Sequence, residues 1–510
     1  MAMLSFRARR FFESHITLTQ IAIAGLIGLA LGAANILVSP NVVLIGLVVI
    51  ASALVALKHP EIVFLSMIVV FSTIFDVNIV PLIPIGIGSL NVFDAALLIY
   101  AALIFIRSVS EPDFRITFSP LTLPLLAFFG LAVISTLLAI LQSTVASQPA
   151  FREMRYITYY LLVLVIVNLI RDKRQLDVLI RGFFFLATFV AIAMIVQYAI
   201  GSSFIFIYGR VETLTRDGQA VNGVARLVPA GRYLILVALI TLTMWMVLDR
   251  SRMLKIWPVI QWIALAVAVI LTFNRNFWIS AMLVLVIFGV VTDRQVRINL
   301  LKWSLVMIVL VSIVPLLAFF DPESEGALLL RSTFERMISV FSADTYENAY
   351  DSNLSTSSLN FRAIESEYAL ERLTPPPLLG IGMGAQYRPF DPTLDWEEFD
   401  GRGYLHNAHL WILLKAGLLS YICLIVAFFI SVRRGIKYYR YLHDPRMKAI
   451  VLGFSLSLIG ILTSALVDPI LTDLAWTPVF GVMIGITEVI YRDLSWSIAL
   501  NEDPLVKVES

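Results

Sequence analysis

Long apolar runs separated by short charged or turn-rich breaks set the pattern of this chain. Runs of about bilayer-crossing length occur at about 17–38, 41–57, 61–76, 90–107, 119–141, 156–170 and 182–200. They resume at about 230–248, 255–273, 276–292, 301–320, 408–431, 449–467 and 473–491. The pattern predicts an all-α polytopic membrane protein with about 14 transmembrane helices and a large, partly helical extracytoplasmic loop. That loop is the interval 321–407, which is long, polar and acidic. Within it Leu330, Phe334, Met337, Ile338 and Phe341 recur at helical spacing, and Phe361, Ile364 and Tyr368 mark a second short helix before Pro375, Pro376 and Pro377. The expected organisation is transmembrane helices over 1–320, a lid over 321–407, further transmembrane helices over 408–491 and a cytoplasmic tail over 492–510.

Composition supports the membrane reading. The 510 residues are 59% hydrophobic and 15% charged, with a mean hydropathy of +0.87, which is too apolar for a water-soluble chain of this size. A net charge of +2 gives no global reason to expect nucleic-acid binding. The single cysteine, Cys423, cannot form an intrachain disulfide. Arg7, Arg9 and Arg10 precede the first apolar run, which is read as a retained helix, not a cleaved signal.

Charge placement sets the expected orientation. Lys and Arg collect in alternate loops, around Arg171 to Arg181, Arg250 to Lys255 and Arg433 to Lys448, as expected of cytoplasmic loops. Both termini are then cytoplasmic, and 321–407 lies outside. The basic residues of the outer face are all arginine, among them Arg152, Arg155, Arg210, Arg226, Arg232, Arg275 and Arg362. A guanidinium fork suits phosphate oxygens, although depletion of lysine by positive-inside selection gives the same bias.

Three outer helix starts carry candidate chemistry. Helices running inward begin near Arg232, Arg275 and His406. An arginine beside the unpaired N–H groups of a helix N-terminus makes an anion site, and the ligand at that depth is a lipid-linked phosphate or pyrophosphate. Headgroup anchoring is the simpler role for any one of these arginines. Arg210 and Arg226, in the polar stretch of about 201–229, are further phosphate contacts or solvated loop charges. His406 can act as a base on a sugar hydroxyl, with His409 about one helical turn on and Asn407 suited to capping. Two histidines without a third fixed ligand make a weak metal site, so no metal and no cofactor is expected. Gly380, Gly382 and Gly384 read as a packing turn, since neither a strand nor a helix-opening lysine accompanies them. Lys415 lies roughly 13 Å along the helix from His406 at about 1.5 Å per residue, so it snorkels or meets a carboxylate such as Asp468 or Asp94. Tyr387, Trp396 and Tyr404 are available for glycan contact.

The run Pro376-Pro377-Leu378-Leu379-Gly380-Ile381-Gly382-Met383-Gly384, followed by His406-Asn407-Ala408-His409-Leu410 and Leu414-Lys415-Ala416-Gly417-Leu418-Leu419, resembles the bacterial O-antigen ligase and O-antigen polymerase superfamily. Thr272-Phe273-Asn274-Arg275-Asn276 is similar to that family's arginine at the outer start of an earlier helix, with Asn274 where serine is more usual. The similarity spans about 226–425. It implies a metal-independent glycosyltransferase of the bacterial inner membrane that faces the periplasm. The donor would be a polyprenyl-pyrophosphate-linked glycan and the acceptor a glycan, lipid or other hydroxyl, among membrane lipids. By the resemblance, Arg275 with Arg232 or Arg226 holds the pyrophosphate and His406 activates the acceptor, and Arg210 is expected as a further donor contact from its place in the adjoining loop.

Two rivals remain. A polymerase joins repeat units where a ligase hands over finished glycan, and the sequence does not separate them. A transporter or flippase of lipid-linked glycans would also be rich in spans and arginines, but it would gather ionisable residues near the midplane. Here they gather at one face beneath a long lid, which favours an enzyme.

Overall fold

The computed structural model describes residues 55, 58–76, 82–84, 89–216, 219–249, 251, 255–305, 325–338, 358–374, 377–391 and 401–493. The expected span at about 17–38, all but residue 55 of the one at 41–57, most of the one at 301–320, most of the tail and Trp396 lie outside these residues.

The chain is mostly helical. Before the first long hairpin come α1 (Pro60–Phe71), α2 (Val92–Ser110), α3 (Thr122–Leu141), α4 (Ser147–Thr158), α5 (Leu162–Leu169) and α6 (Lys173–Ile200). Then come α7 (Arg232–Leu248), α8 (Ile256–Leu271), α9 (Arg275–Val291), α10 (Glu325–Ile338) and α11 (Ser358–Arg372). The last four are α12 (Ala408–Lys415), α13 (Leu418–Tyr438), α14 (Pro445–Ser464) and α15 (Thr477–Arg492). Among the described residues five helices, α2, α3, α6, α13 and α14, are long and apolar enough to cross a membrane, and α1, α7, α8 and α9 are shorter apolar helices.

α7, α14 and α15 form the centre and are buried along most of their length. Small residues let them approach: Gly453 of α14 meets Thr241 of α7, and Gly481 and Gly485 of α15 meet Leu162 and Ile166 of α5. Ser280 of α9 donates to the Gly460 carbonyl of α14 at 2.9 Å. Outward-facing Phe105, Leu123, Leu141, Trp257 and Phe429 are exposed, as suits a surface whose solvent is lipid.

The structure departs from the expected elements in three places. The polar stretch of about 201–229 contains an antiparallel hairpin, β3 (Gly209–Arg216) with β4 (Gln219–Pro229), the second of two small sheets after β1 (Ile83–Pro84) and β2 (Ser89–Leu90). Its ends are pinned by Tyr208 N–H to the Ile74 carbonyl and Gly231 N–H to the Thr73 carbonyl. The span expected at about 156–170 is divided: α4 is a separate polar helix, and a short 3-10 turn at Tyr159–Leu161 leads into α5. The span expected at about 408–431 is two helices, because Gly417 sits at φ 92° between α12 and α13. A side chain there would be strained, and its Cβ would lie 2.5 Å from the Gly380 nitrogen.

Candidate functional site

The glycine turn after α11 is fastened to the bundle at every step. Ile381 N–H donates to the Leu414 carbonyl and Gly382 N–H to the Lys415 carbonyl. Met383 N–H donates to Thr136 Oγ1 at 3.1 Å and Gly384 N–H to Glu153 Oε2 at 2.6 Å. Its donors are spent on protein, so the turn packs the loop onto the bundle, as its context predicts. Beneath it the fully buried Lys415 ammonium reaches both oxygens of Glu153 at 2.6 Å. Glu153 thus takes the place of the expected Asp468 or Asp94. The break at Gly417 ends α12 at Lys415 and aims the side chain at α4. Asp94 is held instead by Arg155 at 2.8 Å, and Asp468 faces Arg232 at 3.5 Å.

The anchored turn leads, through the rest of the loop, to the mouth of α12. Asn407 is the N-cap of α12, its side chain accepting from Leu410 N–H at 3.1 Å. His406, immediately before it, is held by Glu365 of α11: Oε2 accepts from the backbone N–H at 3.0 Å and faces Nδ1 at 2.8 Å. Because a carboxylate accepts only, Nδ1 carries the proton. Nε2 makes no hydrogen bond among the described residues and is left as the basic nitrogen. The Glu365 side chain is 0% exposed and that of His406 24%, so the pair is half open to the site. The rings of Tyr404 and Phe361 pack edge-on against the imidazole, with centroids at 4.9 and 5.9 Å.

His409 plays a different part. Its Nε2 lies 2.8 Å from the Leu462 carbonyl and its Nδ1 3.1 Å from the Tyr421 hydroxyl, so it staples α12 to α13 and α14. Tyr387 is buried, its hydroxyl donating to the Tyr404 carbonyl at 3.1 Å, and it braces the loop from inside.

Arg210, Arg226, Arg232 and Arg362 gather at the hairpin. Arg226 lies opposite Glu212 in the register, bonds to its carboxylate at 3.2 Å and donates to the Thr272 carbonyl at 3.1 Å, just before α9 begins. Burial pushes its guanidinium down to about 10; Glu212 opposes this, while the charges of Arg210, Arg232 and Arg362 add to it. Four guanidinium groups therefore share one neighbourhood. Arg232 opens α7 and lies 5.3 Å from the rings of both Tyr233 and Trp476. Its Nε is buried without a hydrogen-bond partner among the described residues. Arg275 opens α9 behind the N-cap Asn274, whose side chain accepts from Asn276 N–H. Tyr404 joins the two groups: burial raises its phenol well above the ordinary value, and Asp468, Glu365, Asp473 and Arg232 all act on it. Asp473, in the turn before α15, is likewise raised by burial, with Ala475 N–H and Arg232 pulling the other way.

Arg362 is visible in the sequence only as one of the outer arginines and Asp468 only as a possible partner of Lys415, and Glu365 and Asp473 carry little signal as candidates. Glu365 alone left one: it shares a helix face with Phe361 and Tyr368, and a carboxylate on an apolar stripe needs a partner. Asp468 and Asp473 sit in an interhelical turn, where an acid is ordinary.

Residues 261–425 match the family model described as O-antigen ligase. The match takes in Arg275, Glu365, the glycine turn and His406, and it begins after Arg210, Arg226 and Arg232. No curated protein matches the chain.

Proposed function

We propose that this chain, whose residues 261–425 match the O-antigen ligase family model, is a glycosyltransferase of that superfamily and moves a glycan from a polyprenyl-pyrophosphate carrier to an acceptor hydroxyl at the outer face of the bacterial inner membrane. The observation that carries the proposal is the Glu365–His406 pair, which leaves one imidazole nitrogen without a hydrogen-bond partner among the described residues, beside a Tyr404 ring that also lies within electrostatic reach of Arg232.

In the proposed step, His406 Nε2 takes the proton of the acceptor hydroxyl as its oxygen bonds to the anomeric carbon of the donor sugar. The bond from that carbon to the pyrophosphate oxygen breaks, and polyprenyl pyrophosphate leaves with the electron pair. Glu365 holds the imidazole in the productive tautomer and stabilises the imidazolium that forms. Arg232, Arg226, Arg210 and Arg275, joined by Arg362, neutralise the leaving group, so the step draws on fixed guanidinium charge and not on a metal. Tyr404, beside His406, contacts the glycan. Asn407 caps the helix that carries the base, and His409 secures it.

The test is release of polyprenyl pyrophosphate from a lipid-linked oligosaccharide by purified protein in lipid. Release by the wild type, with donor binding and turnover both lost in Arg232→Ala and Arg275→Ala, is the expected result. Products in a ladder of repeats identify a polymerase, and a single transferred glycan identifies a ligase. Tight donor binding with no release from several donors would instead indicate a lipid-glycan transporter.

A further inference from the structure

A cavity of about 1210 Å³ opens between α4, the loop before α12 and the turn between α14 and α15. Arg232, Arg226, Arg210, Arg275 and His406 do not line it, yet Tyr404 does, and the Tyr404 ring is the one packed on His406. It therefore approaches the base along Tyr404, and none of these arginines forms its wall. Small-ligand pockets usually measure about 300–1,000 Å³, so this one has room for several sugar rings.

Its wall is built from one face of a helix that the apolar pattern left in a loop. Pro149, Arg152, Glu153 and Tyr156 stand at i, i+3, i+4 and i+7 of α4, and all four line the cavity. Their states differ. Glu153 is occupied by Lys415 and Gly384. Arg152 is exposed and makes no hydrogen bond or ion pair among the described residues, although it lies within electrostatic reach of the Tyr156 phenol. Arg155, also in the wall, is committed to Asp94. The cavity thus offers one uncommitted guanidinium, with Tyr156, Tyr404 and Gln386 also in its wall. Aromatic faces receive sugar rings, and a guanidinium receives a carboxylate or phosphate in two-pronged fashion.

Resting on the transferase reading above, we infer that this cavity is the acceptor cleft and that it takes an acidic saccharide. Arg152 pairs with the saccharide's carboxylate or phosphate, and Tyr156 and Tyr404 hold its rings. A transferase brings two substrates to one base; the arginine group takes the donor pyrophosphate, and the cleft lined by Tyr404 takes the acceptor.

The test is calorimetric titration of the full-length protein in lipid nanodiscs with trigalacturonate, 6-phosphomannotriose and neutral maltotriose. Saturable binding of an acidic trisaccharide, at least tenfold tighter than maltotriose, is expected. Arg152→Ala lowers that affinity tenfold or more, Arg152→Lys restores part of it, and Arg331→Ala, an exposed arginine of α10 paired with Glu335, leaves it unchanged. Absence of acidic-trisaccharide binding, equal binding of the neutral sugar, or wild-type affinity in Arg152→Ala overturns the inference. Turnover separates it from the reading beneath it. With an acidic acceptor, Arg152→Ala raises the acceptor KM and leaves the donor KM in place, and a raised donor KM would overturn the acceptor assignment. If no variant and no wild type releases polyprenyl pyrophosphate while the trisaccharide binding stands, the transferase reading fails and the saccharide cleft survives.

Discussion

Replacing Glu365 by glutamine removes one negative charge and almost no volume. The Glu365 carboxylate is fully buried, and its Oε2 accepts from both the ring and the backbone of His406. A carboxamide oxygen can keep both contacts, so the imidazole stays where it is while the charge facing the developing imidazolium is lost. Hydrogen bonds to charged groups contribute about 1.5–3 kcal/mol. At about 1.36 kcal/mol per decade of rate, Glu365→Gln lowers kcat by roughly 10- to 160-fold. The donor KM stays near the wild-type value, because the proposal assigns the pyrophosphate to arginines and not to Glu365. Single-turnover release of polyprenyl pyrophosphate in lipid reads the chemical step, and thermal unfolding checks that the variant is folded. Wild-type kcat in a folded Glu365→Gln protein would refute the positioning role, as would a loss that falls wholly on the donor KM.

Other substitutions probe the frame around the pair. Lys415→Met leaves Glu153 with only the Gly384 N–H and costs about 3 kcal/mol, as for a broken buried pair; thermal unfolding should show the loss, with partial recovery in Lys415→Met/Glu153→Leu. Gly417→Ala forces a Cβ into a φ of 92° against the Gly380 backbone. A loss above about 1–2 kcal/mol, the conformational penalty alone, and faster proteolysis at the glycine turn are expected; unchanged unfolding and cleavage would mean that the turn is not seated there. His409→Gln costs about 1 kcal/mol of stability through its two hydrogen bonds but leaves turnover within a few-fold of wild type, and loss of turnover comparable to that of a His406 variant would show that His409 is more than a staple.

Helix starts are readable where a polar or charged residue stands directly before an apolar run, as at Arg232, Arg275 and Ala408, because the boundary between water and lipid is written into composition. The break at Gly417 is not readable, since the run is apolar on both sides and glycine is tolerated in membrane helices. α4 is hidden because its mixed composition resembles a loop; what makes it a wall is its packing under the glycine turn. The candidate base is visible as a histidine at a helix mouth. Its partner is not: Glu365 lies 41 residues away, and Lys415 finds Glu153 across 262 residues, separations at which local pattern carries no information. The arginine group shows the same division. Each of Arg210, Arg226 and Arg232 is visible, but their gathering with Arg362 depends on a hairpin that pairs Arg226 with Glu212.

If His406 performs the chemistry while other residues bind the donor, the two functions separate in one variant. The decisive measurement is donor affinity and glycan transfer in the same preparation of His406→Ala. Donor affinity within about threefold of wild type is expected, with transfer reduced by roughly 10²-fold or more, the scale of a lost general base. Transfer at the wild-type rate, or a loss explained entirely by failure to bind donor, would contradict the division of labour between the histidine and the arginines.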